Sequence, residues 1–369
     1  MQVVLTSVHC WPDVRRGGER YLHELAAGLH RAGHKVRILS TGACTGSGSE
    51  FGVPVRRLPV RRAPGRYPAP WQDLAVERAF GAQAAAYLLP RLTGVDVWHA
   101  TSTGDGAAAV LAGRLRPRLA TVFTDHGFPS RRSRNARPDR REHQLVVRGI
   151  GSYVCVSHAA ARFLEDDFGR RATVVPPGVR FDEHRAGRRH PHPVVLYAGS
   201  LVEERKGLPL LLDAVALLRQ DQPDLELWLF GQGDASSLLA AAPPSARAAV
   251  TRCEALSDEA LRAAYAAAWV TALPSHAESF GMTVVESLAS GTPAAVLREG
   301  GGPPEIIDQE AVGRCADASP ADLARALGEA LELAQRAGTA EACREGARRY
   351  DWDAAVVPAL LDLYEQAAR

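Results

Sequence analysis

Two glutamates, Glu278 and Glu286, stand in the run Pro274-Ser275-His276-Ala277-Glu278-Ser279-Phe280-Gly281-Met282-Thr283-Val284-Val285-Glu286. Glu278 falls in a loop that leaves an apolar strand, Trp269–Leu273. Glu286 falls about one turn inside the helix expected over Met282–Ala289. A helix start near Gly281–Thr283 presents unpaired backbone N–H groups and a positive dipole end, which suits an anion. Gly281 lets a ligand approach the backbone closely. Glu286 can accept both hydrogen bonds of a ribose diol. An isolated pair of glutamates is ordinarily two solvated side chains; the strand–loop–helix setting gives this pair a chemical reading.

A second run, Tyr197-Ala198-Gly199-Ser200-Leu201-Val202-Glu203-Glu204-Arg205-Lys206-Gly207, also leaves a strand and enters a helix. Arg205 and Lys206 can neutralise a departing diphosphate, which needs charge stabilisation. Among 44 basic residues only Lys35 and Lys206 are lysine, so a compact amine at 206 reads as required rather than incidental. The glycines of Gly17-Gly18-Glu19, before a helix, allow contact with a phosphate or sugar, or make an ordinary turn. In Thr124-Asp125-His126-Gly127-Phe128, at a strand end, His126 can bond a sugar hydroxyl or stabilise positive charge on a sugar ring, or be a loop histidine.

The elements that must hold these residues repeat a strand–helix alternation. Val3–Thr6 and Lys35–Ser40 read as strands flanking a helix with Tyr21, Leu22, Leu25 and Leu29 at helical spacing, a βαβ unit. Further strands are expected at Val95–His99, Ala120–Thr124, Tyr153–Val156 and Thr173–Val175. A second series runs through Val194–Ala198, a helix at Leu208–Leu218, Leu225–Phe230, a helix at Asp258–Ala267, Trp269–Leu273 and Ala294–Leu297. Helices close the chain near Pro320–Arg336 and Asp353–Ala368. The fold class is α/β, two Rossmann-like doubly wound domains facing a cleft, with ligands at the carboxyl ends of strands.

With 369 residues, two domains are expected, and charge agrees. Residues 1–182 carry a net +12 and residues 183–369 a net −10, within a total of +2. The expected division is 1–180, a linker at 181–193, a nucleotide-sugar domain at 194–352, and a helix at 353–369 packing back on the first domain. No stretch suits a membrane span, and the first residues read as a strand rather than a signal peptide. Six scattered cysteines without a CxxC pair suggest reduced thiols and a cytoplasmic setting.

Together these motifs resemble glycosyltransferase family 4, a retaining GT-B family. The family pattern also includes a Gly-His-x-Val strand, here Gly33-His34-Lys35-Val36, and an Asp-(Ile/Val)-x-His element, here Asp96-Val97-Trp98-His99. Val156-Ser157 before a helix and Gly301-Gly302-Pro303-Pro304-Glu305 complete it, so the likeness spans nearly the whole chain. The resemblance implies His126, Lys206 and Glu278 as catalytic residues. It implies a donor site of Gly17, Gly18, Ser200, Arg205, Lys206, Ser279, Phe280, Gly281, Met282, Thr283 and Glu286. It further implies a nucleotide-sugar donor, UDP by default, no obligatory metal or cofactor, and front-face substitution in which the leaving diphosphate takes the acceptor proton. Ser200 replaces the family's usual arginine, removing one diphosphate contact, and Pro177 replaces the asparagine of a Pro-Asn-Gly turn. A literal Asp-x-Asp, Asp351-Trp352-Asp353, reads as structural.

The acceptor should meet the first domain. Trp11, Asp13, Trp98, Thr101, Asp105 and Phe128 suit a small polar pocket, and aromatic faces with carboxylates suit a sugar, cyclitol or aminocyclitol. That points to a natural-product acceptor. The arginine-rich Arg131–Arg141 segment leaves an anionic membrane glycolipid open as an alternative, but it lacks the apolar face of a membrane-surface helix. Nucleic acid is not expected, because aromatics do not interleave with the arginines. A nucleotide-sugar epimerase and a non-catalytic binding protein remain alternatives on the same fold.

Overall fold

The computed structural model describes residues 1–9, 11, 17–42, 45–60, 74–128, 140–253 and 257–368. The chain forms two compact units, residues 1–178 with 352–369, and residues 179–351.

The first unit runs β1 (Gln2–Thr6), α1 (Gly17–Arg31), β2 (Lys35–Thr41), β3 (Gly46–Glu50), β4 (Val53–Leu58) and α2 (Leu74–Leu88). It continues through β5 (Val97–Ala100), α3 (Thr103–Leu115), β6 (Ala120–Asp125), α4 (Arg140–Gly149), β7 (Ser152–Cys155), α5 (His158–Phe168) and β8 (Thr173–Val174). Among the described residues the sheet order is β3-β4-β2-β1-β5-β6-β7-β8, with only the β3–β4 pair antiparallel. The strand β6 is buried at every position, as expected when helices cover both faces of a parallel sheet.

The second unit runs β9 (Val194–Ala198), α6 (Leu208–Leu218), β10 (Glu226–Phe230), α7 (Ser236–Ala241), α8 (Pro244–Ala249), β11 (Val250–Cys253) and α9 (Asp258–Ala267). Then follow β12 (Val270–Leu273), α10 (Met282–Ala289), β13 (Ala294–Leu297), α11 (Pro303–Ile306), β14 (Gly313–Ala316), α12 (Pro320–Ala334) and α13 (Thr339–Ala347). The order β11-β10-β9-β12-β13-β14, all parallel, reverses direction between β9 and β12. Such a reversal opens a crevice at the strands' carboxyl ends, where ligands of doubly wound sheets bind.

The chain then returns to the first unit. A π-type turn at Trp352–Val356 leads into α14 (Val357–Ala367). Trp352, Val356, Val357, Leu360, Leu363 and Tyr364 join the core built by Leu5, Tyr21, Leu22, Leu25 and Val122. The Asp-x-Asp is indeed structural: Trp352 is buried, and Asp353 accepts two hydrogen bonds from Arg31, at 2.7 and 3.0 Å.

Residues 181–193, expected as a linker, are part of the second unit. The Phe181 ring lies under the guanidinium groups of Arg344 and Arg348, at 4.4 and 4.8 Å. Arg189 donates to the carbonyl oxygens of Ala268 and Gly291 and to Thr292 Oγ1. Polarity made this stretch look solvated; Arg185 and Arg188 are exposed, but Arg189 is spent on two backbone carbonyls and a hydroxyl of the second unit.

Candidate functional site

The loops after β9 and β12 flank the sheet reversal, and they hold the charged residues singled out above. Residues Glu204–Lys206 form one 3₁₀ turn, which ends at Gly207 in the left-handed region at φ 69°. A Cβ at 207 would fall 2.0 Å from the Pro274 carbonyl oxygen, so only glycine lets the two loops touch. The His276 N–H donates to the Arg205 carbonyl at 2.8 Å and ties them together. Across this contact Lys206 Nζ lies 2.5 Å from Glu278 Oε2, and Arg205 Nη1 lies 3.0 Å from the same oxygen. Glu203 holds the other edge of Arg205 at 2.9 Å. The Lys206 and Glu278 side chains are only 16% and 15% exposed, so their attraction is screened less than that of a surface pair.

Glu278 is also held by its backbone. Its N–H donates to the Gly300 carbonyl and its own carbonyl accepts from the Gly302 N–H, both at 2.8 Å. Ala277, just before it, adopts φ 54°, a conformation that non-glycine residues avoid and that costs strain where it persists. The Ser200 carbonyl accepts from Tyr197 Oη at 2.7 Å, which shapes the start of the β9 loop.

Gly281 opens α10 in the left-handed region, and no side chain caps the helix. The N–H groups of its first turn therefore present a positive end beside Glu278. Two buried hydroxyls here, Ser275 Oγ and Thr283 Oγ1, have no hydrogen-bond partner within the protein. Buried polar atoms rarely stay unpaired, which marks these two hydroxyls as unusual. Phe280 is buried, its ring 5.5 Å from that of Tyr350, while Ser279, Met282 and Thr283 are half-buried. Glu286 sits further along α10, 7% exposed, and accepts from Tyr265 Oη at 3.0 Å.

In the first unit, Gly18 and His126 come together. A Cβ at 18 would lie 3.7 Å from the His126 ring. The Tyr21 ring meets that imidazole edge-on, with centroids 4.5 Å apart. Asp125 anchors the loop: its Oδ1 accepts from the Gly127 N–H and its Oδ2 from Tyr153 Oη, both at 2.8 Å. Gly17 is exposed at the very start of α1. Below this site His99 is fully buried between Tyr364 Oη at 2.6 Å and Thr124 Oγ1 at 2.7 Å. Burial, with the neighbouring His126 adding to it, pushes the His99 pKa down to about 3, so its ring is neutral at ordinary pH.

Both family models find this chain. Residues 15–183 match the family described as Glycosyltransferase Family 4, and residues 180–350 match Glycosyl transferases group 1. The chain belongs to glycosyltransferase family 4. This family-4 enzyme is 27% identical to a phosphatidyl-myo-inositol mannosyltransferase of Mycobacterium tuberculosis, over 96% of this chain and 94% of that one. It is 33% identical to a D-inositol 3-phosphate glycosyltransferase of Acidothermus cellulolyticus, over 60% and 54% of the two chains. Among solved structures, sucrose-phosphate synthase from Thermosynechococcus elongatus superposes with a TM-score of 0.83 at 21% identity, covering 99% of each chain. An Anabaena HepE structure in complex with UDP and glucose gives 0.73 at 16% identity, with the same coverage. The fold is GT-B.

Two residues of the family-4 enzyme that were expected to line an acceptor pocket are buried in the core. Trp98 is fully buried in the sheet core, where its indole N–H donates to Thr6 Oγ1 at 3.0 Å. Asp105 is fully buried as the capping-box carboxylate of α3, accepting from the Ser102 N–H at 3.1 Å and from Thr6 Oγ1 at 2.5 Å. Burial pushes its pKa up to about 7. Aromatic and acidic residue types suggested a sugar pocket, but their positions serve the core and a helix cap. Thr101 donates to the Thr6 carbonyl at 3.1 Å and is half-buried, as is Trp11. Phe128 packs edge-on against Phe163, with centroids 5.0 Å apart. Asp13 and most of the Arg131–Arg141 segment lie outside the described residues. Among the described residues no cluster of His, Cys, Asp and Glu could hold a metal ion, and no helix is long and apolar enough to cross a membrane.

Sequence reading missed Glu203, Tyr21 and Tyr265. Glu203 lay within a quoted motif, but nothing marked it as the partner of Arg205. Tyr265 looks like any core aromatic at helical spacing until its hydroxyl is placed.

Proposed function

We propose that this enzyme transfers a sugar from a nucleoside diphosphate, UDP first among candidates, to a hydroxyl of a small polar cyclitol, with retention at the anomeric carbon. The observation that carries the reading is the Lys206–Glu278–Arg205 cluster at the sheet reversal, beside the uncapped start of α10. Arg205, Lys206 and the N–H groups from Ser279 to Thr283 would neutralise the diphosphate. Glu278 would hold sugar hydroxyls and Glu286 the ribose.

In the reaction, the C1–O bond to the diphosphate breaks as the acceptor oxygen bonds to C1 on the same face. The acceptor proton passes to the departing diphosphate oxygen, so no side chain acts as base. The protein supplies positive charge where negative charge develops. The relatives' names support the acceptor class, because both contain an inositol ring, itself a cyclitol. A second reading, a phosphatidylinositol-type lipid acceptor, is favoured by the match to the lipid-modifying relative over 96% of this chain.

Calorimetry with UDP, GDP, ADP and dTDP names the base, with Glu286→Ala as control. Micromolar binding of one nucleotide, lost in the variant, supports the donor site; no binding of any removes it. Incubation with donor and myo-inositol, an aminocyclitol or phosphatidylinositol vesicles then separates the acceptors. Product only on the lipid replaces the first reading with the second. Interconversion of the donor sugar without any acceptor replaces both with an epimerase.

A further inference from the structure

Tyr265 lies on α9, fully buried, with no route to a ligand of its own. Burying a phenol costs free energy unless its hydroxyl finds a partner. Its partner is Glu286 Oε2 on the adjacent α10, at 3.0 Å. The backbone of both residues is tied down. Thr292 Oγ1 donates to the Tyr265 carbonyl at 2.7 Å, and Arg189 Nη1 bonds the same Thr292 oxygen at 2.9 Å. On the other helix the Glu286 carbonyl accepts from Ser290 Oγ at 2.9 Å, and Ser290 Oγ is in turn 2.9 Å from His184 Nδ1.

A glutamate at a helix surface ordinarily samples several rotamers. Here one carboxylate oxygen is held by a donor behind it, which narrows the rotamers and directions open to the group. We infer that Tyr265 is a positioning residue that orients the Glu286 carboxylate and thereby sets the enzyme's discrimination between ribose and 2′-deoxyribose nucleotides. The inference rests on the proposed donor site, in which Glu286 receives the ribose diol. Two hydrogen bonds from adjacent hydroxyls demand a fixed carboxylate plane, whereas the remaining single hydroxyl of a 2′-deoxyribose tolerates a loose one. Removing the Tyr265 hydroxyl therefore weakens ribonucleotides more than deoxynucleotides.

The test is calorimetric titration of the full chain with UDP and 2′-deoxy-UDP, and with GDP and 2′-deoxy-GDP. Wild type, Tyr265→Phe, Tyr265→Leu and Glu286→Ala are compared at matched temperature. Tyr265→Phe keeps the ring and its packing, so the fold persists; Tyr265→Leu also lacks the hydroxyl, so its difference from Tyr265→Phe reports what loss of packing adds. The expected result is a ribo-over-deoxy preference in wild type that falls about tenfold in Tyr265→Phe, the order expected for one hydrogen bond to a charged group. Deoxynucleotide affinity should change little. Glu286→Ala should abolish the preference. If Glu286→Ala loses the preference while Tyr265→Phe keeps it, the positioning role is overturned and the donor site stands. If Tyr265→Phe weakens ribo- and deoxynucleotides equally, Tyr265 only packs, and the inference fails. If Glu286→Ala leaves the preference intact, or no nucleotide binds wild type, the donor-site reading itself fails and takes this inference with it.

Discussion

Replacing Gly207 by alanine should damage the donor loops by two separable routes. The first is backbone strain. Gly207 sits at φ 69°, where an L side chain costs roughly 1–2 kcal/mol. The second is collision, because the new Cβ would stand 2.0 Å from the Pro274 carbonyl oxygen. Such contacts in proteins stay beyond 3.0 Å, so the two loops must part by at least about 1 Å. Neither side can yield cheaply, since both are backbone and the His276-to-Arg205 hydrogen bond joins them nearby. Lys206 precedes this residue directly, so the shift is carried into its contact with Glu278. Misplacement by about 1 Å in such a constellation costs about a hundredfold in turnover. Gly338 provides the control, because it has φ 84° in the same unit and nothing within 4 Å of its would-be Cβ. Gly338→Ala should lose only the strain, about 2–8 °C in Tm at about 2–4 °C per kcal/mol for a unit of this size. Its transfer rate should match wild type. Gly207→Ala should lose more in Tm and about a hundredfold in kcat/KM, by thermal melting and the transfer assay. Equal melting losses in the two variants, with unimpaired transfer by Gly207→Ala, would refute the account of this loop contact.

Two further outcomes are expected. The returning helix α14 is held by its apolar face rather than by its ion pair: Leu360→Ala should cost about 2–5 kcal/mol in urea denaturation, while Asp353→Ala, which breaks an exposed pair with Arg31, should cost about 1 kcal/mol or less. His99, depressed from 6.5 to about 3, contributes stability that is complete above about pH 6.5 and lost as pH falls toward 3, because the unfolded chain takes up the proton first. The neutral variant His99→Gln should flatten that decline between pH 6.5 and 4, and an unchanged slope would mean that His99 is charged in its buried site.

The second unit was the more legible in sequence. Leu208–Leu218, Asp258–Ala267, Met282–Ala289 and Ala294–Leu297 form the elements that their periodicity predicts. Parallel strands covered on both faces read as short apolar runs, and glycines punctuate them. The β3–β4 hairpin was invisible because Gly46–Glu50 has no apolar alternation at all. At the site, Lys206 stood out through the rarity of lysine, and its contact with Glu278 follows from two loops leaving neighbouring strands. The partners Glu203 and Tyr265 had no comparable signal, since which side chain a hydroxyl or guanidinium meets depends on packing between helices and loops. Trp98 and Asp105 misled for the opposite reason: residue type suggested a sugar pocket, but depth in the sheet decides exposure, and type does not encode depth.

The return of α14 divides the first unit along the chain. Residues 179–351 make one uninterrupted unit, and its ends lie together, since the Val179 N–H donates to the Tyr350 carbonyl at 2.7 Å. The first unit lacks that continuity: Leu5, Tyr21 and Leu25 stay without Trp352, Leu360 and Tyr364 until residues 352–364 have been made. On the ribosome the order of completion is therefore inverted. The half made second can close its core while the half made first still waits, one sheet face covered by α1 alone, for residues 352–364 to leave the exit tunnel. A premature stop near residue 350 would spare the later-made half and strand the earlier one, making such truncations a burden for chaperones rather than a source of partly active enzyme.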